Sequence, residues 1–375
     1  MFLERQDIIM KRLFWLLAFA ALTPASGWFV HAQDAMLLQS WIASDGRVTQ
    51  ATFVRLEDES VVIEKEGKQF AVPLAKLNTA SVELARKLAL QVASAPLESV
   101  RFVLIPGGEY IMGDALDGDT QAPPHRVNVS SFRMSTTEVT KAQWDQVRDW
   151  AMKHGYDDLP EGGGKKENHP VQMLPWCAVV KWCNAKSEME ELTPCYYEDA
   201  AHTVVFKWGE AKLDSTTVKW SANGYRLPTE AEWEKAARGG LIGKRFPWGD
   251  TISHAQGNYK NRPDEHHQTG PAGFHPTYKA GEIPYTAPVG SFAANGYGLY
   301  DMAGNVMEWC WDWYASYPRE LQTDPRGPRS GWNRLFRGGC WESGEAGCGV
   351  AHRFIVMQPA GDNGVGFRLA RGYVP

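Results

Sequence analysis

Residues 225–240 read Tyr-Arg-Leu-Pro-Thr-Glu-Ala-Glu-Trp-Glu-Lys-Ala-Ala-Arg-Gly-Gly. The stretch carries its own start and stop. Thr229-x-x-Glu232 is a capping box, in which the hydroxyl and the carboxylate each satisfy a backbone amide left over at a helix start. Trp233, Ala236 and Ala237 follow on one face, and Gly239-Gly240 ends the helix. Glu230, Glu232 and Glu234 fall in its first turns, where acids favour the positive end of the helix dipole.

Two further helices are marked in the same way. Thr140-x-x-Gln143 is a second capping box, with Trp144, Val147 and Ala151 on one face and Gly155 beyond the end. Pro175 suits a first helical position, and Trp176, Val179, Val180 and Cys183 follow at i, i+3, i+4 and i+7. Between these helices the chain is rich in Gly, Pro, Asn and Trp. Trp309, Trp311 and Trp313 alternate as in a strand with one aromatic face. Leu335-Phe336-Arg337 and Gly366-Phe367-Arg368-Leu369 read as two late β pieces.

Composition agrees with a loop-rich fold. The chain has 375 residues, 16 Trp and 36 Gly. Both residue types exceed ordinary usage, in which Gly is about 7%. Coiled coils, helical repeats and collagen are excluded by this mix. The net charge is −5 with lysine and arginine scattered, which argues against a nucleic-acid partner.

Residues 1–32 read as an export signal: Lys11-Arg12, then the apolar run Leu13 to Leu22, then Val30-His31-Ala32 as a small-x-small cleavage site. The run is too short for a span of roughly 20 residues. The expectation is a periplasmic or extracellular protein, cleaved near Ala32 and with no membrane association afterwards. An uncleaved anchor is the other reading. In an oxidising compartment the six cysteines could form disulfides. No zinc spacing occurs, so structural or buried free thiols are the simplest reading.

Residues 36–90 form a separate unit. Trp41 leads into the turn Ser44-Asp45-Gly46-Arg47. Strands are expected at 48–56, 61–65 and 69–74, and a helix capped by Asn78 or Thr79 runs through Leu88. The run W-x3-DGR-x3-A-x-FV-x-L and the later VPLAKL resemble the SLA-homology type-one domain. That resemblance implies a small SH3-like β-barrel which, in some members, binds short peptides. A packing module is the simpler reading. Residues 91–100 are expected to be a linker.

From residue 101 to 372 the ordered motifs are FVLIPGGEYIMG (102–113), FRMSTTEVTKAQWDQ (132–146), His169-Pro170-Val171, YRLPTEAEWEKAARGG (225–240), Phe246-Pro247-Trp248-Gly249, NGYGLYDMAGNVME (295–308), Arg337-Gly338-Gly339 and Gly366-Phe367-Arg368. This order resembles the formylglycine-generating enzyme, or sulfatase-modifying factor, family. The resemblance implies an α+β fold that is an irregular variant of the C-type-lectin-like fold, low in secondary structure and holding calcium.

Residues 301–308 suit calcium on physical grounds, since Asp301 and Glu308 flank a Gly-Asn turn that can aim carbonyls inward. By resemblance the ligands are Asp301, the Gly304 and Val306 carbonyls, and Glu308. A second family site would begin at Asn258 and the Tyr259 carbonyl. Its acid falls near Gly281, where only Glu282 could substitute.

Family catalysis uses two cysteines that bind copper(I) and oxidise a sulfatase cysteine. Counted from Gly338-Gly339, the first falls on Ser343 and the second on Cys348. A hydroxyl is a poor ligand for copper(I), which prefers soft thiolates. Cys340 could pair with Cys348, as a rebuilt catalytic pair or a disulfide, or both could be buried thiols. The reading is therefore a non-catalytic, calcium-stabilised module for a peptide, protein or glycan. The alternatives are a copper- and oxygen-dependent formylglycine-generating oxidase and another oxygen-dependent enzyme of the superfamily. The last type draws histidines from a second domain, and residues 33–100 contain none.

Overall fold

The computed structural model describes residues 38–57, 59–65, 68–94, 100–116, 121–210, 212–355 and 362–373. The export signal expected at 1–32 lies outside them. The chain divides into two compact units, residues 1–99 and 100–375. No helix among the described residues is long and apolar enough to cross a membrane.

The first unit is an antiparallel meander of β1 (Leu38–Ile42), β2 (Val48–Glu57), β3 (Ser60–Lys65) and β4 (Lys68–Pro73), paired in chain order. Trp41, Ala51, Phe53, Val61 and Ile63 supply its buried face. Four strands form where three were expected. The extra strand is β1, whose Trp41 reads as the lead-in to a turn but pairs with Thr49 across it. After a single 3-10 turn the chain returns to β1 through one bridge, Ala43 to Leu77. The return is a bridge rather than a fifth strand. Asn78 caps α1 (Thr79–Ser94), its side-chain oxygen accepting from the Ser81 amide at 2.9 Å. The helix passes the expected end at Leu88 and takes up residues 91–94 of the expected linker.

The second unit places small sheets around three helices. β5 (Phe102–Ile105) and the C-terminal strand Ala370–Gly372 flank β8 (Phe132–Ser135). β6 (Gly108–Met112) pairs with β7 (His125–Val129), which also pairs with Gln322–Thr323. The central sheet runs in the order Phe354–Ile355, Arg334–Arg337, Met307–Trp313, Val365–Gly366.

Both capping boxes form. Thr140 and Gln143 open α2 (Lys141–Ala151), and Thr229 and Glu232 open α4 (Glu230–Ala237). α3 (Trp176–Met189) starts one residue later than expected, with Pro175 at the cap. The main core forms where α2 meets α3. The Trp144 and Trp182 rings stack at 5.7 Å, and Phe367 packs edge-on to both. The strand Met307–Trp313 is buried on both faces apart from Trp313. The indoles of Trp309 and Trp311 line one face, while Glu308, Cys310 and Asp312 are buried on the other.

Candidate functional site

The acids of α4 do more than complement a dipole. All three are buried, and each meets arginine. Glu230 takes both prongs of Arg353, at 2.6 and 2.9 Å, and a further bond from Arg337. Glu232 pairs with Arg226. Glu234 accepts from Arg238 and Arg337. Burial alone would raise the Glu234 carboxyl, but these two guanidinium groups outweigh it and hold its pKa low. Buried charge is tolerated when paired and hydrogen-bonded in this way.

One more acid stands at the start of α4. Asp312 accepts the Glu230 amide at 2.7 Å. Its own burial, and next the charge of Glu230, push its pKa up to about 8. Arg334 is fully buried without an ion pair among the described residues. Its guanidinium lies 3.7 Å from the ring centroids of both Trp176 and Trp313 and donates to the Trp311 and Leu213 carbonyls.

The thiol segment follows Arg334–Arg337. Gly338 and Gly339 both have positive φ, which turns the chain sharply. The Cys340 amide then donates to the Ser343 hydroxyl at 3.0 Å, and the Cys340 sulfur lies 3.4 Å from the same oxygen. Ser343 is part-exposed. Cys348 sits beneath, fully buried among Phe246, Ile252, Tyr259 and Ala303. A Cβ placed on Gly339 would come within 3.0 Å of the Cys348 sulfur, so glycine is required there for space as well as for backbone conformation. Burial pushes both thiols above their ordinary pKa, and Cys340 adds to the effect at Cys348. All six cysteines are free. The expected disulfide is not formed, and the alternative of buried thiols is the arrangement seen. The reason is local: Cys340 turns toward Ser343, while Cys348 is packed into an apolar cluster.

The expected calcium residues are gathered around Asn305. Its side chain donates to Glu138 at 2.9 Å and accepts the Ala287 amide at 2.8 Å. Asp301 uses one oxygen to accept the Gly290 amide, while its other oxygen is buried with no partner. Glu308 is more heavily engaged, accepting two bonds from Arg368 and one from the Trp233 indole. Three buried carboxylates, Glu138, Asp301 and Glu308, thus share this region with one guanidinium, Arg368. Burial drives Glu138 well above the usual carboxyl range, helped by Asp301, and lifts Asp301 to about 6. The excess of negative charge and the orphaned Asp301 oxygen fit a cation. No three His, Cys, Asp or Glu side chains among the described residues are arranged as metal ligands, so backbone carbonyls would supply most of the shell.

The second expected site is less convincing. The Asn258 amide donates to the Tyr285 carbonyl, and the Tyr259 carbonyl takes the His254 ring nitrogen at 3.1 Å. Glu282 is exposed. His266 and His267 are held by their backbone amides against the buried carboxylate of Glu345. Sequence reasoning missed Glu138, although it lies within the quoted 132–146 motif, and it left the partners of Arg353 and Arg368 undecided.

This architecture defines a class: a loop-rich α+β domain with little regular structure, joined internally by buried arginine–carboxylate pairs and closed by its own C-terminal strand. The sulfatase-modifying factor enzyme 1-like domain matches residues 89–373, and the chain belongs to the formylglycine-generating enzyme family. It is 34% identical over 296 residues to the formylglycine-generating enzyme of Thermomonospora curvata, covering 72% of this chain and 92% of that one. It is also 34% identical over 262 residues to the chaperone protein LppX of Paenibacillus barcinonensis, covering 64% and 78%. Among solved structures it is similar to Treponema denticola variable protein 1, with a TM-score of 0.54 and 27% identity over 72% of this chain and 95% of that one.

Proposed function

We propose that the chain is a non-catalytic member of its family, an exported binding module for a peptide, protein or glycan. The observation that carries this reading is Ser343. It stands where the first catalytic cysteine is expected, and its hydroxyl is already used by the Cys340 amide. Copper(I) needs paired soft thiolates, and reactive thiols have depressed pKa values. Here both nearby thiols are buried and pushed the other way. The relative named as a chaperone supports a family role that is not oxidation.

The test is to load the reduced protein with copper(I) and incubate it with a peptide bearing Cys-x-Pro-x-Arg. The expected result is no aldehyde by mass spectrometry. Aldehyde formation would overturn the reading in favour of the sulfatase-directed oxidase, with Cys340 and Cys348 as its thiols.

Calcium belongs to the same proposal as a structural ion. Asp301 would supply its free oxygen, Gly304 and Val306 their carbonyls. Glu308, held by Arg368, would contribute charge more than coordination. The ion would neutralise carboxylates that the fold otherwise leaves in excess. The first unit is proposed as an SLA-homology type-one-like module, on its four-stranded meander and the return bridge to β1.

A further inference from the structure

Arg326 is an exposed cation set over an indole ring. Its guanidinium lies 4.3 Å from the Trp220 ring centroid, and its carbonyl accepts the Trp311 indole at 3.2 Å. Its guanidinium makes no ion pair among the described residues. The neighbouring acid Asp324 is already accepting the Ser130 amide and hydroxyl. Arg226, whose guanidinium lies 5.4 Å from the same ring centroid, is neutralised by Glu232. Stacking on an indole leaves the in-plane N–H fork of a guanidinium available, which is the geometry that grips a planar or tetrahedral oxyanion with two bonds.

The residue borders three cavities, of about 190, 260 and 630 Å³. The widest is an open cleft whose wall carries Lys219, His202 and the residues Ser215, Thr216 and Ser221. The acid next to it, Asp214, is engaged by Arg329 and by the Thr216 amide and hydroxyl, which leaves the Thr216 oxygen as an acceptor. The segment that opens into this wall is tied down at Asp214, which pairs with Arg329. Fixed and flexible cations, several hydroxyls and the part-exposed Trp220 indole form a combination that suits one ligand chemistry. The cations take an oxyanion, the hydroxyls exchange hydrogen bonds with other hydroxyls, and an indole face suits the C–H face of a sugar ring. A peptide would call for apolar side-chain pockets, which this wall lacks.

We propose that this cleft binds an acidic saccharide, with its carboxylate or sulfate on the Arg326 fork and its hydroxyls along Ser215, Thr216 and Ser221. The proposal rests on the binding-module reading and narrows its ligand to a glycan.

The test uses the full chain and calorimetric titration at low salt. The probes are an oligogalacturonate, a sulfated dextran oligosaccharide, neutral maltotetraose and inorganic phosphate. The expected result is that at least one acidic saccharide binds, and the two acidic arms tell carboxylate from sulfate. The neutral sugar should bind at least about tenfold more weakly, as a lost charge-assisted contact implies. Phosphate should also bind at least about tenfold more weakly, because it keeps the charge but lacks the sugar hydroxyls and ring face. Arg326→Ala should lose a similar factor with an unchanged melting temperature, Lys219→Ala should lose less, and added salt should weaken binding. No binding by either acidic saccharide, equal binding of the neutral sugar or phosphate, or full affinity in Arg326→Ala would overturn it. Failure here leaves the copper and aldehyde result untouched, so the two readings fail separately.

Discussion

Glu308 and Arg368 form a two-pronged ion pair that neither side chain shares with solvent, with Nε to Oε2 at 2.6 Å and Nη2 to Oε1 at 2.7 Å. The pair ties the strand Met307–Trp313 to the C-terminal tail, and Arg368 also donates to the Ser135 and Tyr300 carbonyls. Arg368→Met should therefore be destabilising by about 3–5 kcal/mol, because it strands a buried carboxylate. The double variant with Glu308→Gln should recover part of that loss. Urea denaturation of the two variants checks both statements.

The pH dependence of stability should carry the signature of Asp312. A carboxyl raised to about 8 in the folded state and titrating at 3.8 when unfolded makes folding less favourable as pH rises between those values. Asp312→Asn keeps an oxygen for the Glu230 amide and removes the titration. The variant should have a flatter stability profile between pH 4 and 8. At pH 8 it should be more stable than the parent by up to roughly 5 kcal/mol. A parallel profile for the two proteins would contradict this.

Calcium and protons should compete at Asp301. Its carboxyl is raised to about 6, so the metal-free protein loses stability as pH climbs from 3.8 through 6. A cation that needs the ionised form offsets that loss. The rise in melting temperature on adding calcium should be larger at pH 7.5 than at pH 5, and Asp301→Asn should abolish the difference. Elemental analysis of the purified protein should find the ion.

Thiol counting separates buried cysteines from bridged ones. Cys177 alone of the six has partial exposure. About one thiol should react with Ellman's reagent in the native protein, and all six should react in denaturant without reductant, since each is unpaired. Four in denaturant would mean that one disulfide had formed.

Gly304→Ala should be costly. Gly304 has φ of +85°, and an added Cβ would lie 2.4 Å from the Asn258 carbonyl oxygen. Both the conformation and the space exclude a side chain. We expect loss of soluble protein, or a clear drop in melting temperature measured by circular dichroism.

Much of the fold was legible because its signals are local. The two capping boxes join residues three apart, and the glycines that follow α4 need only their own backbone angles. β1 was missed for the opposite reason. Trp41 and Ile42 look like the approach to a turn until β2 pairs with them. The thiol site was half legible. The count from Gly338 marks Ser343 as the departure, but sequence could not choose between bridged and buried thiols for Cys340 and Cys348.

The sequence by itself determined the family and the two capping-box helix starts at Thr140 and Thr229, because each is written in neighbouring residues. The tertiary structure alone decided the long-range pairs between acids and arginines, while Glu234 and Arg238 meet locally at i and i+4. Glu230 meets Arg353 across 123 positions, and Glu308 meets Arg368 across 60. A buried charge is stable only where the folded chain supplies a counter-charge or, as for Arg334, carbonyls and ring faces at contact distance, and for these distant pairs no local pattern encodes that meeting. The same holds for Asp301: the fold brings the Gly290 amide to one of its oxygens and buries the other without a partner.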